Sequence, residues 1–416
     1  MSKNQFISFS FFLGFILILV IPILYSVGIG SFASINLISG YFMFDAVSFY
    51  LVLLVYFLGI YSVFSTKSFI PNSSLTFLFF SLFFSILCFC SNHSILFWCF
   101  YELSMLPLLY LIFCDSPYSE RFIAGWYFAV YLLFTSLPLI LILLYISYVN
   151  NSLFFSLWSF SSEIWVFYVL LAFIFFTKVP LFPFHTWLPI VHAEATSIVS
   201  IFLSGYIMKL GILGIYRCTP FIFCSELTPY VFLCCIFSVF FLITASSELD
   251  GKRWLAFLSL SHILVPLIGF FVGDWSVINL SFFYCLGHGI SAGLVFGVLW
   301  FFYDNSNTRN LVLLKSGLGG MLPTLVIILG LLSLCSFPPT IQFFCEVFLL
   351  SSSLLSVIYI IFWCLYLFFA GLVPLILCGH LLIRGESFEG SQYVVFSFSY
   401  LFLYLCFWCY LGVMFI

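Results

Sequence analysis

The sequence predicts an all-α polytopic membrane protein with about thirteen transmembrane helices. Three observations carry this prediction: 65% of the 416 residues are hydrophobic, only 6% are charged, and long apolar stretches follow one another with short loops. A soluble domain carries roughly 25% charged residues, so this chain has too few to cover a water-facing surface. The composition excludes a soluble enzyme, and the lack of a basic patch argues against nucleic acid as a partner.

Crossing a hydrocarbon core of about 30 Å takes about 20 apolar residues. On this criterion the predicted segments are 5–27, 46–65, 74–91, 94–114, 122–148, 164–193, 197–216, 228–247, 254–273, 275–303, 319–353, 355–381 and 392–414. The first is too long for the apolar core of a signal peptide, so we expect it to be retained as a helix. We expect one membrane domain, composed of N-terminal helices at 1–91, a first half at 92–217, a second half at 228–381 and a C-terminal helix at 392–414.

The charges between the segments predict an orientation. If the crossings alternate, Arg217 falls on one side of the membrane. The other cations of the loops fall on the opposite side, namely Lys3, Lys67, Arg121, Lys252, Arg253, Arg309, Lys315 and Arg384. The positive-inside rule assigns this lysine- and arginine-rich side to the cytoplasm or matrix. The sequence therefore predicts an odd number of crossings, with the N-terminus inside and the C-terminus outside.

Two of the predicted segments are interrupted by prolines, the sixth at 178–189 and the eleventh at 337–342. Proline removes a backbone donor and clashes with the preceding turn, so it kinks or breaks a helix. The two interruptions occupy comparable places in the two halves of the chain. Paired broken helices indicate a transporter built from inverted structural repeats, with a site near the midplane of the membrane.

A few titratable side chains fall inside the predicted segments instead of in loops. They are Glu102, Lys178, Lys209, His262, His288 and Glu346. A charge at the bilayer centre costs at least about 2.5–3.5 kcal/mol, so such residues are usually functional and paired. A carboxylate restores the proton affinity of a buried lysine, histidine titrates near neutral pH, and a broken helix can line a hydrated cavity. Together these residue types favour a proton path.

Other interpretations remain open on the residues alone. The charges could instead form structural ion pairs that hold the bundle together. Haem ligation by His262 and His288 is disfavoured, because they lie on consecutive helices and their spacing gives no pairing within one helix. Cys406 and Cys409 have C-x-x-C spacing, but they lie in an apolar run, where packing is favoured over a metal or redox role. No metal site is expected.

The run Lys178–Ala195 resembles the signature K-x-P-x-x-P-x-H-x-W-L-P-x-A-H-x-E-A-P of chain 4 of NADH:ubiquinone oxidoreductase, or respiratory complex I. That family is related to Mrp-type cation/proton antiporters. The helix around Lys209, the stretch from Phe100 to Pro107 and the Gly-His-Gly-Ile-Ser element at His288 are similar to further motifs of the family. Thr196 departs from the pattern, since the family usually has proline there. Sibling chains 2 and 5 share the architecture, but the His-x-Glu-Ala tract favours chain 4.

The resemblance implies a proton-translocating subunit, driven by NADH-to-quinone electron transfer elsewhere in the complex. It assigns the roles along the path as follows: a coupled pair of Glu102 and Lys178, a central relay at Lys209, bridging groups at His262 and His288, and an exit-side carboxylate at Glu346.

The same resemblance implies that the chain binds no cofactor itself, while the complex holds NADH, FMN, iron–sulfur clusters and ubiquinone. Its expected partners are chains 2 and 5, lipids, protons and water. Its expected location is the mitochondrial inner membrane, with the N-terminus in the matrix and the C-terminus in the intermembrane space. Two alternatives remain, an Mrp-type sodium/proton antiporter subunit and a sibling chain 2 or 5.

Overall fold

The computed structural model describes residues 37–38, 40–66, 72–160, 164–223, 227–272, 275–313, 321–354, 356–383 and 392–415. The predicted all-α class is confirmed, since helices dominate throughout these residues. Eight helical segments of the described residues are long and apolar enough to cross a membrane, and three of them, Arg121–Val149, Ser197–Cys218 and Gly251–Val272, each join two of the helices given below. The count of about thirteen stays a prediction, because the predicted segment 5–27 lies outside the described residues.

The chain begins its described part with a two-residue antiparallel ladder between β1, Leu37–Ile38, and β2, Met43–Phe44. Helices make up most of the described residues that follow. In order they are α1 (Ala46–Thr66), α2 (Asn72–Cys90), α3 (Ser94–Asp115), α4 (Arg121–Phe128), α5 (Ser136–Val149), α6 (Trp165–Lys178), α7 (Trp187–Glu194), α8 (Ser197–Phe202), α9 (Met208–Cys218), α10 (Thr228–Ser247), α11 (Gly251–His262), α12 (Leu264–Val272), α13 (Trp275–Ser306), α14 (Met321–Leu334), α15 (Ile341–Ser353), α16 (Val357–Ile383) and α17 (Gln392–Leu411).

Both predicted breaks are confirmed. One separates α6 from α7, and the other separates α14 from α15. The backbone groups that the first break frees find side-chain partners, as the indole of Trp187 donates to Thr177 O at 3.0 Å and the Tyr230 hydroxyl donates to Phe182 O at 2.8 Å. After the second break, the hydroxyl of Thr340 caps α15. Such partners are what non-helical backbone requires at membrane depth.

Two other segments contain a π turn where the sequence predicted an uninterrupted helix. Ala129–Phe134 joins α4 to α5, and Leu203–Ile207 joins α8 to α9. A π turn departs from the regular i→i−4 hydrogen-bond ladder and occurs frequently at functional sites.

The interior of the bundle is built around α13, which packs against α1, α8, α12, α15 and α17. The segment formed by α8 and α9 is also enclosed by other helices. The segment formed by α4 and α5 lies at the periphery, where Trp126, Phe134 and Tyr148 are 69%, 70% and 80% exposed. Large apolar side chains on an outer face fit a protein whose solvent is lipid.

The placement of Lys252 in a loop was wrong. Helix α11 begins at Gly251, and Lys252 in its first turn is only 4% exposed. The side chain of Asp250 caps this turn by accepting from Lys252 N at 2.9 Å. The apolar run used for the prediction starts only at Trp254, so composition alone placed the start of this helix three residues too late.

Candidate functional site

The first predicted pair, Glu102 and Lys178, is brought together by α3 and α6. Their side-chain atoms Oε1 and Nζ are 3.9 Å apart. The ammonium of Lys178 also donates to Leu132 O at 2.9 Å and lies 4.3 Å from the centre of the Tyr101 ring. Lys178 is fully enclosed, and the Glu102 side chain is 12% exposed. A cation removed from water is thus held by a carboxylate, a carbonyl and an aromatic face.

Lys209 lies in the first turn of α9 and is fully buried. Its ammonium donates to Ser204 O at 2.5 Å. Ser204 belongs to the second π turn, just as Leu132, the acceptor for Lys178, belongs to the first. Each of the two buried lysines therefore uses a backbone carbonyl from a π turn, a relationship that residue spacing did not predict.

Gly211 lets α9 approach the end of α6 closely. A Cβ atom at this position would lie 2.6 Å from Val179 Cγ2 and 3.3 Å from Val179 N. Only glycine fits without movement, and Gly211 lies two residues after Lys209. The close contact brings the helix of Lys209 against the residue that follows Lys178.

His262 and His288 meet across α11 and α13. Their ring centres are 5.2 Å apart, and both side chains are almost fully buried. Gln342 of α15 approaches His288 Nδ1 with its amide nitrogen at 3.3 Å. Lys209 lies close enough to both histidines to interact with them electrostatically. The two rings are thus neighbours in space, which their positions on different helices did not reveal.

Glu346 lies in α15 and is 3% exposed. Its Oε1 accepts from the hydroxyls of Tyr284 at 3.2 Å and Tyr366 at 3.3 Å. Both hydroxyls also contact His262 Nδ1, Tyr366 at 2.5 Å and Tyr284 at 3.1 Å. Two tyrosines absent from the sequence-based site therefore connect two residues that belong to it.

Five of the six predicted residues form two groups, the Glu102–Lys178 pair and the set of His262, His288 and Glu346, and Lys209 is the sixth. Contacts join Glu102 to Lys178, and a hydroxyl-bridged network joins His262 to Glu346. The helix that carries Lys209 touches the residue after Lys178 at Gly211, and the charge of Lys209 acts on both histidines. The structure therefore places five of the six side chains in the buried interior, with Glu102 partly exposed beside Lys178.

A second ionic cluster, which the sequence analysis missed, surrounds Lys252. Its ammonium donates to Ala195 O at 2.8 Å. Arg309 Nη1 lies 3.6 Å from Glu194 Oε1 and 3.7 Å from Asp250 Oδ2, and its guanidinium carbon stacks 3.5 Å over the Tyr118 ring centre. Burial raises the pKa of Tyr118, which lies in the loop between α3 and α4. Tyr118 also lines a cavity of about 370 Å³.

A third cluster lies at the other end of α3. Arg217 pairs with Asp45 at 3.1 Å and donates to Ser91 O at 2.6 Å, close to where α3 begins. At the far end of α3, the hydroxyl of Ser116 donates to Glu194 O in the Lys252 cluster. The Arg217 and Lys252 clusters therefore lie at opposite ends of the bundle.

Among the residues that the structure describes, no group of three or more histidine, cysteine or acidic side chains could hold a metal ion. The fold and the site define a class: an antiporter-like, multi-pass membrane protein with two broken helices and buried glutamate, lysine and histidine. Residues 91–372 match the family model described as "NADH:quinone oxidoreductase/Mrp antiporter, TM". The chain belongs to this family, as the resemblance of its motifs predicted.

Individual proteins agree with this assignment. The chain is 30% identical to NADH-ubiquinone oxidoreductase chain 4 of Locusta migratoria, over 92% of this chain and 84% of that one. Its fold is similar to a chain of respiratory complex I from Thermus thermophilus, with a TM-score of 0.80, 18% identity, and 89% and 82% of the two chains covered. It is also similar to a chain of the Mrp complex from Dietzia sp., with a TM-score of 0.70, 19% identity, and 84% and 67% covered.

Proposed function

We propose that this chain is the proton-translocating, antiporter-like chain 4 of NADH:ubiquinone oxidoreductase. The observation that carries the proposal is the buried series from the Glu102–Lys178 pair through Lys209 to the histidines and Glu346. Family membership and the similarity to named chain 4 proteins support the same role. The enzyme activity belongs to the whole complex, and this chain performs no redox chemistry of its own.

The proposed mechanism is electrostatic. A carboxylate close to a buried amine favours the protonated amine, and its withdrawal favours release of the proton. The 3.9 Å separation of Glu102 and Lys178 is wide enough for the contact to tighten or loosen with small helix movements. Release from Lys178 would load Lys209, and release from Lys209 would load the histidines and then Glu346. The π turns supply the carbonyls that hold each ammonium between transfers.

In this proposal the chain lies in the mitochondrial inner membrane, with its N-terminus in the matrix and its C-terminus in the intermembrane space. The chain 4 relatives and the charge bias of the loops support this placement. The neighbours are other membrane subunits of the complex, chains 2 and 5 among them, together with lipids. NADH, FMN, the iron–sulfur clusters and ubiquinone belong to other parts of the complex.

Replacement of Lys209 by methionine in the assembled complex tests the proposal. Lys209→Met keeps most of the side-chain volume but removes the only titratable group of the central relay. The complex, reconstituted in proteoliposomes, should lose most proton translocation per NADH oxidised. Arg253→Met, which removes an exposed cation near one end of the bundle, should leave this ratio unchanged. Full translocation by an assembled Lys209→Met complex would contradict the proposal.

A structural role for the charges makes a different prediction. Replacing a buried ion pair by well-packed apolar residues is often neutral for stability. The double variant Glu102→Leu/Lys178→Met should then assemble and translocate protons normally if the pair only holds helices together. Under our proposal it assembles but translocates poorly.

An Mrp-type sodium/proton antiporter subunit is the second candidate, favoured by the fold similarity to the Dietzia complex. Its partners would differ from those of a complex I subunit. Co-purification of this chain with peripheral iron–sulfur subunits supports complex I. Isolation with membrane subunits alone, together with sodium-dependent proton movement, would support the antiporter.

A further inference from the structure

Four buried side chains from four helices meet between α11 and α15: His262, Tyr284, Tyr366 and Glu346. Each is at most 3% exposed. Each tyrosine hydroxyl lies within hydrogen-bond distance of both the imidazole and the carboxylate, and the two hydroxyls are 3.3 Å apart. The imidazole and the carboxylate are thus joined by two parallel bridges, each with a single phenol oxygen at its centre.

The distances suit proton transfer through the phenols. A phenol can accept a proton on its oxygen while it donates its own. One bridge has separations of 2.5 Å from His262 Nδ1 to Tyr366 and 3.3 Å from Tyr366 to Glu346. The other has separations of 3.1 Å and 3.2 Å through Tyr284. Neither route needs a water molecule between the two titratable groups.

The surrounding rings fix the two hydroxyls in place. Tyr366 is stacked against Phe362 at 5.4 Å and meets Trp363 edge-on at 5.7 Å. Tyr284 stacks parallel to the ring of His288 at 6.4 Å. A buried phenol needs one partner to satisfy its O–H. Here each phenol oxygen has two partners, the imidazole of His262 and the carboxylate of Glu346, which is one more than a buried O–H needs.

We propose that Tyr284 and Tyr366 form a hydroxyl relay that carries protons between His262 and Glu346; this inference rests on the function proposed above. In one transfer the Nδ1–H bond of imidazolium breaks as the proton bonds to the phenol oxygen. The original phenol O–H bond breaks at the same time, and its proton bonds to the Glu346 carboxylate. Imidazolium and carboxylate become imidazole and carboxylic acid, the phenol is restored, and no electrons are exchanged.

Removal of the hydroxyls alone tests the relay. Tyr284→Phe, Tyr366→Phe and the double variant keep the aromatic rings and change only the oxygen atoms. Each variant is reconstituted in proteoliposomes as the assembled complex. The number of protons translocated per NADH oxidised is then measured. Because the bridges are parallel, each single variant keeps one route and should retain most of the translocation. The double variant should lose most of the translocation, since both routes are gone.

Tyr410→Phe is the matched control. The Tyr410 hydroxyl donates to a backbone carbonyl, Leu329 O, at 2.9 Å, and it has no place in the relay. Its removal should leave translocation unchanged. A merely structural role of Tyr284 and Tyr366 would lower the stability of the double variant but leave its proton stoichiometry intact. An assembled double variant with wild-type stoichiometry overturns the relay.

If the double variant fails to assemble, Tyr366→Phe alone decides the question. Only the bridge through Tyr284 then remains, so proton transfer through the relay should limit the rate of translocation more strongly, and the solvent deuterium isotope effect on that rate should rise. An unchanged isotope effect overturns the relay.

Lys209→Met separates the relay from the proposed function. If that variant translocates normally, the proposed function fails. If it loses translocation while the tyrosine double variant retains it, only the relay fails.

Discussion

The ammonium of Lys209 donates to the carbonyl oxygen of Ser204, a residue of the π turn that precedes it in the same buried segment. The ammonium of Lys178 bonds in the same way to Leu132 O, in the π turn between α4 and α5. A carbonyl is a weaker partner for a cation than a carboxylate, because it carries only a partial charge. A π-turn carbonyl therefore anchors each lysine in position, and Lys178 has the Glu102 carboxylate 3.9 Å away in addition.

Glu102→Gln should abolish most NADH-driven proton translocation while the complex still assembles. Glutamine has nearly the same volume as glutamate, so packing is retained, but its neutral amide no longer modulates Lys178 at 3.9 Å. Glu120→Gln is the matched control, since Glu120 is exposed before α4. Proton translocation per NADH distinguishes them. Equal ratios for the two variants would remove Glu102 from the path.

Gly211→Ala should destabilise the subunit and weaken translocation. The new methyl group would lie 2.6 Å from Val179 Cγ2, and forcing it in costs about 1–3 kcal/mol or moves α9 away from α6. Gly371→Ala is the control, because a Cβ there meets no atom within 4 Å. Thermal inactivation of the purified complex and proton stoichiometry measure the two effects. An unaffected Gly211→Ala complex would show that the close contact is dispensable.

The sequence predicted the fold class and the two broken helices because their signals are local. Apolar length defines a membrane segment, and closely spaced prolines define a break. Local sequence also singled out the charged candidates Glu102, Lys178, Lys209 and Glu346. A charge in the middle of an apolar run is conspicuous and energetically costly.

This reasoning did not identify two kinds of residue, namely those near the ends of segments and polar residue types that are common in the chain. Lys252 lies where a helix start and a loop have the same composition, so only tertiary contacts reveal its burial. Tyr284 and Tyr366 are two of 24 tyrosines, and nothing in their neighbouring residues distinguishes them. Their role depends on four helices meeting, which one sequence does not specify. The division into halves at 92–217 and 228–381 likewise stays a prediction.

Lys252→Met should reduce the amount of assembled complex. The substitution removes the cation next to Glu194 and Asp250 and the donor to Ala195 O. Arg309 still pairs with Glu194 and Asp250, but the buried Ala195 carbonyl loses its donor, which costs about 1–3 kcal/mol. Arg253→Met alters the neighbouring but exposed cation and should have little effect. Native gel electrophoresis of solubilised membranes measures the amount of assembled complex for each variant. Similar amounts would mean that the cluster tolerates loss of Lys252.

Asp45 should show two separable roles at the other end of the bundle. Its carboxylate caps α1 by accepting from Ser48 N at 2.9 Å, and it pairs with the buried Arg217 at 3.1 Å. Asp45→Asn keeps a capping oxygen but removes the charge, whereas Asp45→Ala removes both. The alanine variant should therefore be less stable than the asparagine variant by about 1 kcal/mol, the usual value of a helix cap. Thermal inactivation of the two complexes measures the difference. If they inactivate at the same temperature, the cap contributes nothing and the ion pair alone explains why Asp45 is buried.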